Sequence, residues 1–282
     1  MSSPLIATCW TSAGDTSPID DDPRSPENFQ HRVEAAAKAG YVGMGFLVAD
    51  LEAAEATYGI DGMRSIIHDN GLTHLEIELL TEWWNSGTED ENPESEKIRK
   101  KMLYYTEQLG IGTFKVASDD SGRPWHLGPW AAQYHKLAAQ AADVGARLAL
   151  EFLPWMNIAT VGDAMGLIRA SDHPNAGMVI DVWHVEHMHT DHTEIEQLPA
   201  SAIVSVELSD AGQRSGPWLE DTVKNRRYCG EGSFRLPSFV AALRKAGFSN
   251  PWGVEILSET HRKLPIEEGL ARAAESAWKL LG

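Results

Sequence analysis

Short runs of apolar, largely β-branched residues alternate along this chain with longer segments whose apolar residues recur every three or four positions. The first pattern is that of a buried strand and the second that of an amphipathic helix. The runs predict strands at 5–10, 42–47, 73–79, 112–117, 147–153, 177–182, 202–208 and 252–257. Helical stripes predict helices at 27–39, 60–70, 95–109, 129–144, 161–171, 235–246 and 266–281. Ile98, Met102, Tyr105 and Leu109 carry one stripe; Trp130, Tyr134, Leu137 and Ala141 carry another. Gly40, Gly71, Gly110, Gly145 and Gly247 each follow a helical segment, where glycine can take the left-handed conformation that ends it. Residues 185–200 carry the faintest helical pattern, and the polar stretches 12–28 and 85–96 read as loops.

Strand and helix alternating in this way predict a parallel sheet with crossover helices. Eight repeats in 282 residues fit an α/β fold of one domain over 1–282, a (β/α)8 TIM barrel. The rival is an open doubly wound sheet. Against it, no strand is followed by G-x-G-x-x-G, and there is no G-x-x-x-x-G-K-[ST] phosphate loop.

Charge and composition narrow the partners. The net charge is −17 with no dense basic run, so nucleic acid is not an expected partner. No apolar run approaches the length of a membrane span, and MSSPLIATCW lacks the basic and apolar regions of a secretory signal. Cys9 and Cys229 stand far apart, which argues against a disulfide framework or a cysteine zinc site. A cytoplasmic protein without membrane association is the expectation.

In a barrel the chemistry lies at the C-terminal ends of the strands. Strand five, RLALEFLP, ends near Glu151; strand six, GMVIDVWH, ends with Asp181 and then His184. Strand seven, IVSVELSD, carries Glu207, and strand eight, WGVEIL, carries Glu255. The period of two puts Ser205, Glu207 and Ser209 on one face of strand seven and Val204, Val206 and Leu208 on the other. With branched residues toward the helices, four acids from neighbouring strands converge on the barrel axis. Ionised carboxylates removed from water cost several kcal/mol each unless paired or coordinated. A divalent cation relieves that cost, and oxygen-rich sets favour Mn²⁺ or Mg²⁺. Any one of these acids alone reads equally well as half of an ion pair.

Taken together, EFLP at 151–154, DVWH at 181–184, VELSDA at 206–211, CGEGSF at 229–234 and VEI at 254–256 resemble the xylose-isomerase-like barrel superfamily. That group includes sugar-phosphate isomerase/epimerase-like proteins, inosose isomerases and dehydratases, ketose 3-epimerases and 3-dehydroshikimate dehydratases. The resemblance runs from strand one to the last helix. It implies metal ligands at Glu151, Asp181, Glu207 and Glu255. Glu207 departs from the pattern, because many relatives have His there and some dehydratases Gln. An all-carboxylate set weakens Lewis acidity and puts Mn²⁺ or Mg²⁺ ahead of Zn²⁺ or Co²⁺; alternatively Glu207 does not ligate, and water or His184 fills the place. The resemblance also implies Glu151 and Glu255 as an acid/base pair on opposite substrate faces. It makes His184 a substrate contact or alternative base, and Arg226 or Arg227 a holder of a substrate oxygen. Relatives often form dimers or tetramers, so a homo-oligomer is left open.

These features imply a metal-dependent sugar or polyol isomerase or epimerase that works through an enediolate. The alternative is a metal-dependent lyase or dehydratase acting on a keto-sugar, a keto-glycoside or a dehydroshikimate-like acid, through the same intermediate. A repair endonuclease on this barrel would need more histidine ligands and a basic surface, and a non-catalytic binding subunit would lack the metal. Lys115 on strand four reads as the partner of Glu78 in an internal salt bridge, or as a substrate contact that protonates a leaving group. Trp10, Trp83, Trp84, Trp125, Trp155 and Trp183 lie near strand ends or loops, where aromatic faces pack on sugar C–H surfaces; Trp183 is the named substrate candidate. Asp20, Asp21 and Asp22 read as a solvated loop, and His187, His189 and His192 as a second histidine cluster without a convincing set of partners.

Overall fold

The structure, a computed structural model, describes residues 3–282. Its strands are β1 (Leu5–Ala7), β2 (Gly43–Leu47), β3 (His74–Leu80), β4 (Thr113–Ala117), β5 (Arg147–Glu151), β6 (Ala176–Asp181), β7 (Ile203–Leu208) and β8 (Trp252–Val254). Every neighbouring pair is parallel, and β1 pairs with β8, so the sheet closes in chain order into a (β/α)8 barrel. Around it lie α1 (Phe29–Lys38), α2 (Val48–Asp69), α3 (Pro93–Leu109), α4 (Leu127–Asp143), α5 (Val161–Ser171), α6 (Val182–His187), α7 (His192–Glu196), α8 (Trp218–Lys224), α9 (Leu236–Ala246) and α10 (Ile266–Leu281). Among the described residues no helix is long and apolar enough to cross a membrane.

Local chemistry sets several element ends. The Thr160 hydroxyl accepts the Asp163 amide at 3.1 Å and donates to its Oδ2 at 2.7 Å, which caps α5. In α10, Leu270, Ala273, Ala274, Ala277 and Leu281 form one buried face, the stripe expected over 266–281. Gly40 ends the α1 segment with φ +89°, and a Cβ there would lie 2.7 Å from Trp278 Cη2 of α10. Both its backbone conformation and its closeness to the indole require glycine.

Several expected boundaries move. The runs at 5–10, 147–153 and 252–257 leave the sheet early, because the chain turns over the barrel mouth; Cys9–Thr11 forms a 3₁₀ turn. Helix α2 begins at Val48 rather than residue 60, since Leu51 and Ala54 already bury against the core, and Gly59 (φ +65°, ψ 165°) breaks it in two. The 185–200 segment is divided between α6 and α7, and α8, absent from the expectation, interrupts the loop after β7. Strand β7 carries a bulge: Met178 pairs with Ile203 and Val179 with Ser205, so Val204 is skipped. Val204 therefore turns inward and packs with Ala149 and Val179, apart from the main core, instead of facing the helices. Gly177 leaves the room; a Cβ there would lie 2.4 Å from Val204 Cγ2.

Candidate active site

The barrel lumen above this small apolar cluster is ionic. Inward positions two residues apart place Glu76 and Glu78 on β3, Lys115 on β4, Glu151 on β5, Asp181 on β6 and Glu207 on β7. Glu255 follows β8 directly, and its amide still bonds to the Leu208 carbonyl at 2.9 Å. All seven side chains are buried.

Lys115 forms the lower layer. Its Nζ lies 2.5 Å from Glu207 Oε1 and 2.6 Å from Glu76 Oε2, with Glu78 farther away at 3.9 Å. Ser205 donates to the other Glu76 oxygen at 2.7 Å. The expected Lys115–Glu78 pair is present but long, and Glu76 and Glu207, which were not expected, are the close partners. Lys115 is fully buried and is not among the residues that line the cavity. Burial opposes its charge, but Glu207 and Glu76 outweigh burial and raise its pKa.

Above it, four carboxylates converge. Glu151, Asp181, Glu207 and Glu255 each offer one oxygen, and these atoms lie within 4.8 Å of one another. His184 Nε2 is 3.1 Å from Glu151 Oε1 and 3.3 Å from Asp181 Oδ2. Asp181 Oδ1 accepts the Trp183 amide at 2.8 Å and so also starts α6. Arg226 Nη1 sits 2.7 Å from Asp181 Oδ2 and 3.0 Å from Glu255 Oε2. Its Nε and Nη2 both donate to Thr222 Oγ1, at 3.2 and 3.0 Å, so α8 holds the guanidinium in place.

The charges remain unbalanced: six buried carboxylates face two permanent cations, Lys115 and Arg226. Burial, then the neighbouring Glu151 and Glu76 against the opposing Lys115, leaves Glu78 at about 7. Burial with Asp181 and Glu151, against Arg226, leaves Glu255 at about 8. Glu207 is raised by burial and by Glu255. Asp181 goes the other way, because Arg226 and His184 overcome its burial. Glu207 Oε2 is buried without a hydrogen bond, and Asp181 Oδ2 has only the ionic contacts of Arg226 and His184. An unpartnered Glu207 oxygen in a ring where carboxylates outnumber cations fits a divalent cation. The four carboxylates offer hard oxygens, which suit Mn²⁺ or Mg²⁺, while Glu151, Asp181 and His184 form a second candidate set whose imidazole also suits zinc.

The cavity over this ring has a volume of about 250 Å³. Glu78, Glu151, His184, Arg226 and Glu255 line it. Arg227 does not; its side chain bonds to the Glu231 carbonyl on the exposed side of the loop. Trp183 is buried behind the wall, edge-on to Trp155, His184 and Trp218. Of the six tryptophans singled out, Trp10 and Trp155 line the cavity, while Trp83, Trp84 and Trp125 pack around Trp130. The histidine cluster separates: His192 bonds to Glu186 and Ser238, whereas His187 packs on Trp183 and Trp218. Sequence reasoning missed Thr222 and Leu219, since both lie on a helix it did not predict.

The family described as xylose isomerase-like TIM barrel matches residues 33–276, and the chain belongs to it. A curated 3-dehydroshikimate dehydratase from Pseudomonas aeruginosa is 28% identical over 242 residues, 83% of this chain and 37% of its own length. An inosose isomerase from Halalkalibacterium halodurans is 26% identical over 143 residues, half of each chain. The chain therefore spans half or less of the length of these curated relatives. Among solved structures, the IolI protein with a bound zinc atom superposes with a TM-score of 0.84 at 20% identity, over 100% of this chain and 98% of its own. D-Psicose 3-epimerase from Clostridium cellulolyticum H10 superposes with a TM-score of 0.70 at 14% identity, covering 100% of this chain and 99% of its own. These likenesses establish the fold. The named relatives are isomerases, epimerases and dehydratases acting in small-molecule chemistry.

Proposed function

We propose that this protein is a divalent-metal-dependent enzyme that moves a proton next to a carbonyl in a sugar or polyol, with isomerisation or epimerisation as the outcome. The observation that carries the reading is the ring of Glu151, Asp181, Glu207 and Glu255, whose ligand oxygens gather within 4.8 Å. A divalent ion in that ring would polarise neighbouring carbonyl and hydroxyl oxygens of the substrate. Glu151 and Glu255 serve as the acid/base pair. His184 steers Glu151 through its 3.1 Å contact. Arg226, anchored by Thr222, orients a substrate oxygen. The apolar wall keeps bulk water from the reacting carbon.

Elimination is the second reading, because the relative matched over 83% of the chain carries the name of a dehydratase. Exchange in D₂O separates the two. With Mn²⁺ supplied, deuterium uptake beside the carbonyl of an inosose or ketose without loss of water supports isomerisation, and release of water or alcohol supports elimination. Glu151→Gln and Glu255→Gln are expected to lose exchange while keeping the fold by circular dichroism. Full exchange in both variants would falsify the assigned roles.

A further inference from the structure

The cavity has two chemistries at two depths. Its floor is the polar set of Glu78, Glu151, His184, Arg226 and Glu255. Its wall is built from Trp10, Leu47, Leu153, Trp155, Met156 and Leu219. Leu219 is 43% exposed, one of the few large apolar side chains so open to solvent, and it lines this cavity. It lies on α8, whose Thr222 holds Arg226 on the floor, so one short helix carries a piece of each zone.

A bare polyol presents hydroxyl groups on every side. Against leucine and methionine those groups lose water and gain no partner, at a cost for each one. The other polar wall groups are few: Asp120, and Thr222, whose hydroxyl already accepts two bonds from Arg226. Tryptophan faces pack on sugar C–H surfaces, but leucine and methionine supply no hydrogen bond to a sugar rim. Charge limits the substrate as well. Arg226 is the one Lys or Arg lining the cavity among the described residues, and it faces Asp181 and Glu255. No second cation stands ready for a phosphate or carboxylate, and the buried acids repel one.

The geometry points to an uncharged substrate with two ends: a hydroxylated carbonyl ring on the carboxylate floor and an apolar aryl or alkyl substituent against the wall at the mouth. This rests on the proposed proton-transfer reading, which seats the carbonyl end. A cavity of about 250 Å³ is small beside the roughly 300–1,000 Å³ common for ligand pockets, so a substituent on the ring extends into the opening beside Leu219.

The test uses the full chain with Mn²⁺ and three probes: the methyl and phenyl β-glycosides of 3-keto-glucose, and 3-dehydroshikimate. Calorimetry measures affinity, and NMR in D₂O measures exchange. The phenyl glycoside is expected to bind about tenfold or more tightly than the methyl glycoside, and more tightly than the anionic acid. In Leu219→Ser, a change at an exposed position, and in Trp155→Ala, the phenyl-to-methyl ratio should fall toward one. Equal binding of the two glycosides, no binding of either, tighter binding of 3-dehydroshikimate, or a ratio untouched by both substitutions overturns the inference. The underlying reading fails separately: a strong phenyl preference with no exchange in any probe rejects proton transfer and leaves the amphipathic site standing.

Discussion

Replacing Lys115 with methionine tests the ionic centre of the barrel. The ammonium group lies 2.5 Å from Glu207 and 2.6 Å from Glu76 and is fully buried. Methionine matches its length and removes its charge, so two carboxylates lose their counter-ion without an added cavity. Removing one partner of a buried pair costs about 3–5 kcal/mol. At roughly 2–4 °C for each kcal/mol in a chain of this size, the melting temperature should fall on the order of 10 °C. The loss should depend on pH. Without Lys115 the pKa of Glu207, already held above its ordinary value of 4.5 by burial and by Glu255, rises further. The folded state then binds more protons than the unfolded chain, and stability declines as pH rises from there through the folded pKa. The deficit is therefore expected to be larger at pH 8 than at pH 6, as read by thermal melts followed by circular dichroism. Adding Glu207→Gln to Lys115→Met removes one stranded charge and should restore part of the loss. A single Lys115→Met variant that melts within about 2 °C of the parent at pH 8 would show that the centre is not held by this cation.

Three further outcomes follow from the same structure. Mn²⁺ at about a hundred times its dissociation constant should stabilise the fold by about 2.7 kcal/mol, and EDTA should reverse the rise in melting temperature; no shift with Mn²⁺, Mg²⁺, Co²⁺ or Zn²⁺ would count against the carboxylate ring as a metal site. His261 is held below the ordinary histidine value of 6.5 by burial, with Nδ1 2.9 Å from the Tyr228 hydroxyl and Nε2 2.9 Å from the Thr11 carbonyl. The unfolded chain takes up that proton first, so its contribution is intact above pH 6.5 and lost as pH falls through the lowered value; a His261→Gln variant should show a flatter melting curve between pH 7 and 5. Gly40→Ala combines a φ of +89° with a Cβ 2.7 Å from Trp278, so a loss of about 1–3 kcal/mol is expected in urea melts, and an unchanged midpoint would contradict it.

The eight-fold alternation was legible because strand and helix periods are local properties. Helix stripes such as Met102, Tyr105 and Leu109 bury as their spacing requires. Alternation within strands also places Glu151, Asp181, Glu207 and Glu255 toward one axis. It failed at Val204, where a bulge shifts the count by one residue, and a bulge depends on the partner strand. It was incomplete for Lys115, which meets Glu78 at 3.9 Å but Glu207 and Glu76 more closely. Glu76 and Glu78 share the inward face of β3, and barrel stagger decides which one a lysine on the next strand reaches more closely. Helix α8 was missed because it is short and sits in a polar loop, so Thr222 and Leu219 had no place in the expected site.

By itself the sequence determined the barrel, its inward acids and the absence of a nucleotide-binding loop, because each is written in spacing along one segment. Only the tertiary structure decided how those acids share two cations, which arginine enters the cavity, and that an apolar wall stands above a charged floor. Those outcomes depend on distances between side chains far apart in the chain, set by strand register and by loops closing over the mouth.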